Sequence, residues 1–134
     1  MRPRNPRHPV ELQIERADIA INREDFDTLM DVYSDDAVLV VKPGMNAVGK
    51  VEIRKAMEVI AAYFNHSLDV RQAGMTILES GDTALVLAKT VVSASTMPTV
   101  ERSATYVFKR HPNGSWLCVI DNSYGHELLL SEDA

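Results

Sequence analysis

The 134 residues suit one domain, and 46% hydrophobic with 25% charged side chains is an ordinary globular mix that can bury a core without disulfides or metals. The net charge of −5 argues against nucleic-acid binding, which needs basic patches, and no apolar run reaches the roughly 20 residues that span a bilayer. Cys118 is the single cysteine, so no intramolecular disulfide can form, which fits a reducing, cytoplasmic setting.

The first nine residues, MRPRNPRHP, are basic and carry three helix-blocking prolines, Pro3, Pro6 and Pro9. They lack the apolar stretch of a secretory signal. We expect a flexible basic tail over 1–9 and a single domain over 10–134.

From Val10 to Asn22 the apolar residues Val10, Ile14, Ala17 and Ile21 step by four, three and four, which is one stripe of a helix. Asp25 can cap a second, shorter helix carrying Phe26, Leu29, Met30 and Tyr33. Ser34, Asp35 and Asp36 compete for backbone hydrogen bonds and should end it. A short strand is expected from Ala37 to Val41, closed by the turn signal Pro43-Gly44. Gly49 precedes a third helix over Lys50 to Phe64, with the stripe Ile53, Met57, Ile60, Ala61 and Phe64 and a C-terminal cap at Asn65.

The remainder reads as sheet. Strands are expected at Leu68–Glu79, Thr83–Ser95, Thr99–Arg110 and Ser115–Ser123. Ser80-Gly81-Asp82, Thr96-Met97-Pro98 and Asn113-Gly114 connect them. Strands this long usually curve. Both faces of the late strands are apolar: Leu85, Leu87 and Val91 oppose Ala84, Val86, Ala88 and Val92. The helices can cover one face; a second copy of the chain is the simplest cover for the other, so a homodimer through the sheet face is expected.

Three stretches carry a resemblance. Tyr33-Ser34-Asp35-Asp36-Ala37-Val38 is similar to a helix-to-strand junction of the NTF2-like superfamily, and Gly49-Lys50-Val51-Glu52-Ile53-Arg54 to the start of its third helix. Gly114-Ser115-Trp116 with Ile120-Asp121-Asn122-Ser123-Tyr124-Gly125 is similar to its last strand. The chain thus resembles the SnoaL-like and DUF4440-type small bacterial proteins over roughly residues 10–130. The resemblance implies an α+β, NTF2-like (cystatin-like) cone with N-terminal helices packed on a curved antiparallel sheet.

The superfamily includes ketosteroid isomerases, which use an aspartate base with a tyrosine and a protonated aspartic acid as oxyanion donors. Aligned on this resemblance, those positions fall at Lys42, Ala17 and Ala104, so steroid isomerisation by that route is not expected. His8, His66, His111 and His126 are too scattered for a metal site, and neither a nucleophile elbow nor a glycine-rich phosphate loop is present. No cofactor or metal is expected.

The same alignment puts Trp116, Cys118, Ile120, Asn122 and Tyr124 on the concave face, with Leu85, Leu87, Lys89 and Val91, and with Arg102, Ala104, Tyr106 and Phe108. This implies an apolar pocket for a small molecule. The candidate pocket residues are Lys89, Tyr106, Asn122, Tyr124, Trp116 and His66. Lys89 would either be desolvated and act as a base, or reach the rim and pair with Asp121 or Glu101. The function implied is an isomerase- or lyase-type reaction, or alternatively a non-catalytic oligomerisation module. Neither nucleic-acid nor membrane partners are expected.

Overall fold

The computed structural model describes residues 7–130. Helix α1 spans Pro9–Arg23 and α2 spans Phe26–Met30. Strands β1 (Tyr33–Lys42) and β2 (Met45–Val48) form a hairpin ahead of α3 (Gly49–Tyr63). Then come β3 (Asp69–Ser80), β4 (Thr83–Ala94), β5 (Met97–Arg110), β6 (Trp116–Asn122) and a last turn of helix, α4 (Glu127–Leu130). The six strands form one sheet in the order β2-β1-β6-β5-β4-β3. All pairs are antiparallel except β1 with β6, which run parallel. This is the expected helices-on-a-curved-sheet architecture.

The helices cover one sheet face. Helix α1 packs on β3 and β6, and α3 packs on β1 and β2. The apolar stripes of the sequence supply the contacts: Val10 and Ile14 from α1 and Ile53 and Met57 from α3 are buried with Val86, Tyr106, Phe108 and Cys118 from the sheet. Fully burying a side chain of this size contributes about 1.5–3 kcal/mol.

Three local expectations change. Of the expected tail, residues 1–6 lie outside the described residues; Arg7 and His8 precede α1, and Pro9 is its first residue. Pro9 is tolerated there because the first helical N–H has no partner to lose. His8 caps the helix, its Nδ1 accepting from Val10 N at 3.0 Å, and Arg7 pairs with Glu11 and Glu15. Ser34, Asp35 and Asp36 do not end α2, which stops at Met30; they lie in β1, whose alternation buries Tyr33 and Ala37. The strand is longer than expected because β6 pairs along it as well as β2. Strand β2 and helix α4 are elements beyond those expected.

The register of β6 decides which of its side chains reach the helix side. Phe108 pairs with Cys118, but Val107 pairs with Ile120, so Val119 is an extra residue. This β-bulge reverses the alternation of the strand. Before it Trp116 and Cys118 are buried on the helix side. After it Ile120 turns outward, 43% exposed, and Asp121 turns inward opposite Tyr106.

Candidate active site

Between the helices and the sheet lies a cavity of about 160 Å³, lined mainly by apolar side chains from α1, α3 and every strand except β2. Among its polar lining groups are Asp18, Tyr33, Thr90, Arg102, Tyr106 and Asp121.

Asp121 is the centre of this set. The Tyr33 hydroxyl donates to its Oδ2 at 2.5 Å, while its Oδ1 is buried and has no hydrogen-bond partner. A buried oxygen left unpaired is costly, so it points to a group that a ligand or water would satisfy. Burial raises the carboxyl's pKa; the hydroxyls of Tyr33 and, more weakly, Ser123 favour the charged form and oppose the rise.

Asp18 enters from α1, because it follows the buried stripe by one position and turns toward the sheet. Gln72 Nε2 donates to its Oδ2 at 2.9 Å. Gln72 Oε1 accepts from Thr90 Oγ1 at 3.3 Å, and Thr90 shares a hydrogen bond of 3.1 Å with the Tyr106 hydroxyl. Burial pushes the Asp18 carboxyl up to about 7; Gln72 opposes this and the negative potential of Asp121 adds to it. Burial raises the hydroxyls of Tyr33 and Tyr106 further, with Asp121 adding to both, so both stay protonated donors. The Cys118 thiol is likewise raised by burial, which keeps it a thiol rather than a nucleophile.

The two carboxyls therefore line one cavity, with Asp18 able to hold or release a proton near neutral pH. Such a pair can take a proton from one atom of a ligand and return it to another. Among the described residues no group of three His, Cys, Asp or Glu side chains is placed to hold a metal ion.

The expected pocket residues divide. Tyr106 and Tyr124 line the cavity. Lys89 does not: it is exposed on the opposite sheet face, beside Ser103 in the register. The parity of β4 is the reverse of the expected one, with Ala84, Val86, Ala88 and Thr90 buried on the helix side and Leu87 47% exposed. Ile120 also faces away, because of the bulge. Asn122 does not line the cavity; its Oδ1 accepts from the N–H groups of Tyr124 and Gly125 at 3.1 Å, which fixes the turn that carries Tyr124. Trp116 is buried core, edge-on to His8 with ring centroids 5.6 Å apart. His66 is exposed, its Nδ1 3.0 Å from Glu24.

Asp18, Tyr33, Arg102 and Asp121 are not among the site candidates that the sequence suggests. An aspartate on the helix stripe's flank is a usable signal, since an acid beside core positions must find a reason to be there.

The sequence matches the SnoaL-like domain over residues 13–119, and the chain belongs to that family, within the NTF2-like superfamily. No curated protein matches it. A protein of unknown function with a cystatin-like fold from Nostoc punctiforme PCC 73102 superposes with a TM-score of 0.74 at 16% identity, over 84% of this chain and 85% of that one. A proposed dehydratase of the NTF2-like family from Streptomyces avermitilis gives 0.67 at 24% identity, over 84% and 90%. A proposed ketosteroid isomerase from Shewanella frigidimarina NCIMB 400 gives 0.74 at 10% identity, over 85% and 93%. At these identities the likeness is one of fold.

Proposed function

We propose that this protein is an enzyme of the isomerase or lyase type that moves a proton on a small molecule held in the cavity. Asp121 and Asp18 are its acid–base pair and Tyr33 positions Asp121. The observation that carries this reading is the unpaired, buried Oδ1 of Asp121, a residue that lines an apolar cavity together with Asp18. The similar folds named for a proposed dehydratase and a proposed isomerase support the reaction class, since both reactions turn on proton transfer. General acid–base groups contribute about 10²–10⁴ in rate. Solvent deuterium exchange into one-ring enolisable ketones, followed by proton NMR, tests it. Wild-type protein should accelerate exchange, and Asp121→Asn should cut that acceleration at least about tenfold. Equal exchange with wild type and Asp121→Asn defeats the proposal.

A second reading concerns assembly. The sheet face away from the helices leaves Leu78 55%, Leu87 47% and Ile120 43% exposed, which favours a homodimer with those faces together. Sedimentation at micromolar concentration should give a dimer, and Leu87→Glu a monomer. A wild-type monomer removes this reading, and with it the alternative of a pure oligomerisation module.

A further inference from the structure

Arg102 is half-buried and lines the cavity, with its guanidinium carbon 4.6 Å above the centre of the Tyr124 ring. Among the described residues it forms neither an ion pair nor a hydrogen bond. A guanidinium held over a ring by this attraction still has N–H donors to offer, in the fork that matches a carboxylate. The tyrosine beneath it is itself held, its hydroxyl donating to Val41 O at 3.3 Å. The arginine is therefore oriented, cationic and uncommitted.

Its place relative to Asp121 comes from the register. Arg102 sits opposite Thr90, while Asp121 sits opposite Tyr106, four residues further along β5. Four residues of strand span about 13–14 Å. The arginine side chain closes part of that gap, and one substituted ring fits the rest. The volume agrees: a cavity of about 150 Å³ accommodates benzene, and this one measures about 160 Å³. A multi-ring molecule needs more room.

Resting on the acid–base reading above, we infer that the ligand is a one-ring organic acid, its carboxylate paired with Arg102 and its hydroxyl or enolisable carbonyl oxygen at Asp121. Apolar side chains that line the cavity, Ile60 among them, hold the ring. The raised pKa values of Asp121 and Asp18 reduce the negative charge that an incoming anion meets. A carboxylate at Arg102 also gives the cavity a direction, so that only one end of the ligand reaches the acids.

Calorimetric titration of 4-hydroxybenzoate, benzoate and phenol into the full chain tests this assignment. Wild-type protein should bind 4-hydroxybenzoate at least tenfold tighter than phenol. Arg102→Gln should abolish that preference while leaving phenol affinity unchanged, and Arg102→Lys should restore part of it. The assignment is overturned if wild-type protein binds phenol as tightly as the acid, if Arg102→Gln keeps the preference, or if all three probes fail to bind. The deuterium-exchange comparison of wild type with Asp121→Asn reports separately on the acid–base reading. A lost carboxylate preference with intact Asp121-dependent exchange therefore condemns this inference alone.

Discussion

The Tyr33 hydroxyl, at the start of β1, donates to Asp121 Oδ2, near the end of β6, across 2.5 Å and 88 positions of sequence. The bond joins the first long strand to the last where they run parallel, so the site is built on the pairing that closes the sheet. It also holds one oxygen of the carboxyl and leaves the other buried without a hydrogen-bond partner.

Tyr33→Phe removes that donor while keeping the ring packed. A buried charge-assisted bond is lost, so stability should fall by about 1.5–3 kcal/mol in urea denaturation. Because the hydroxyl favours the charged carboxyl, its loss should move the Asp121 pKa still higher. Carbon-13 NMR titration of the labelled aspartates should show that upward shift.

Asp18 makes stability depend on pH. Its ordinary value is 3.8 and its folded value about 7. Between these values the folded state holds a proton that the unfolded state has released. The stabilisation is fully present below about pH 4 and is lost as pH rises through about 7. At roughly 1.4 kcal/mol per unit, the loss is on the order of 4 kcal/mol. Asp18→Asn should flatten the profile across that window and raise the melting temperature at about pH 8 relative to wild type.

Gly125 has a φ of +54°, and a Cβ there would lie 2.1 Å from the Ser103 carbonyl oxygen, a backbone atom that cannot swing aside. Gly125→Ala should cost about 2 kcal/mol or more through strain and clash. It should also loosen the turn held by Asn122, which carries Tyr124. Denaturation gives the stability loss, and Tyr124 ring signals in NMR should broaden.

His8 ties the start of α1 to β3. Its Nδ1 accepts from Val10 N, so the proton of the neutral ring sits on Nε2, 2.6 Å from Glu79 Oε1. His8→Ala removes a cap and a tertiary hydrogen bond together. The expected cost is about 1–2 kcal/mol, and amide exchange in the first turn of α1 should accelerate.

Much of the fold is legible in the sequence. The stripes through Val10, Ile14 and Ile53, Met57 mark the two long helices, and the Gly81 and Asn113-Gly114 turns divide the late strands. The site is harder to read for two physical reasons. In β4 both faces are apolar, and a period of two cannot say which face meets the helices. The larger Leu85 and Leu87 suggest the wrong one; the helix side takes Ala84 and Ala88 instead, as buried positions close to another backbone often do. That reversal carries Lys89 out of the cavity. In β6 the single extra residue Val119 reverses the alternation after Cys118, and puts Asp121 where Ile120 and Asn122 are expected to flank the pocket. Tyr106 and Tyr124 can be found from sequence because β5 keeps an unbroken register from Arg102 to Val107 and the turn after β6 is short.

The bulge at Val119 has a consequence for how relatives of this protein can differ. It works as a phase shift: Trp116 and Cys118 upstream serve the core, and Asp121 downstream serves the cavity. A strand that kept Val119 but paired it without the bulge would turn Ile120 toward the cavity and Asp121 away from it, while leaving the upstream core in place. Chemistry along this strand is thus inherited by phase rather than by position, and two chains with the same residues on either side of Val119 can share a shape and differ entirely in reactivity.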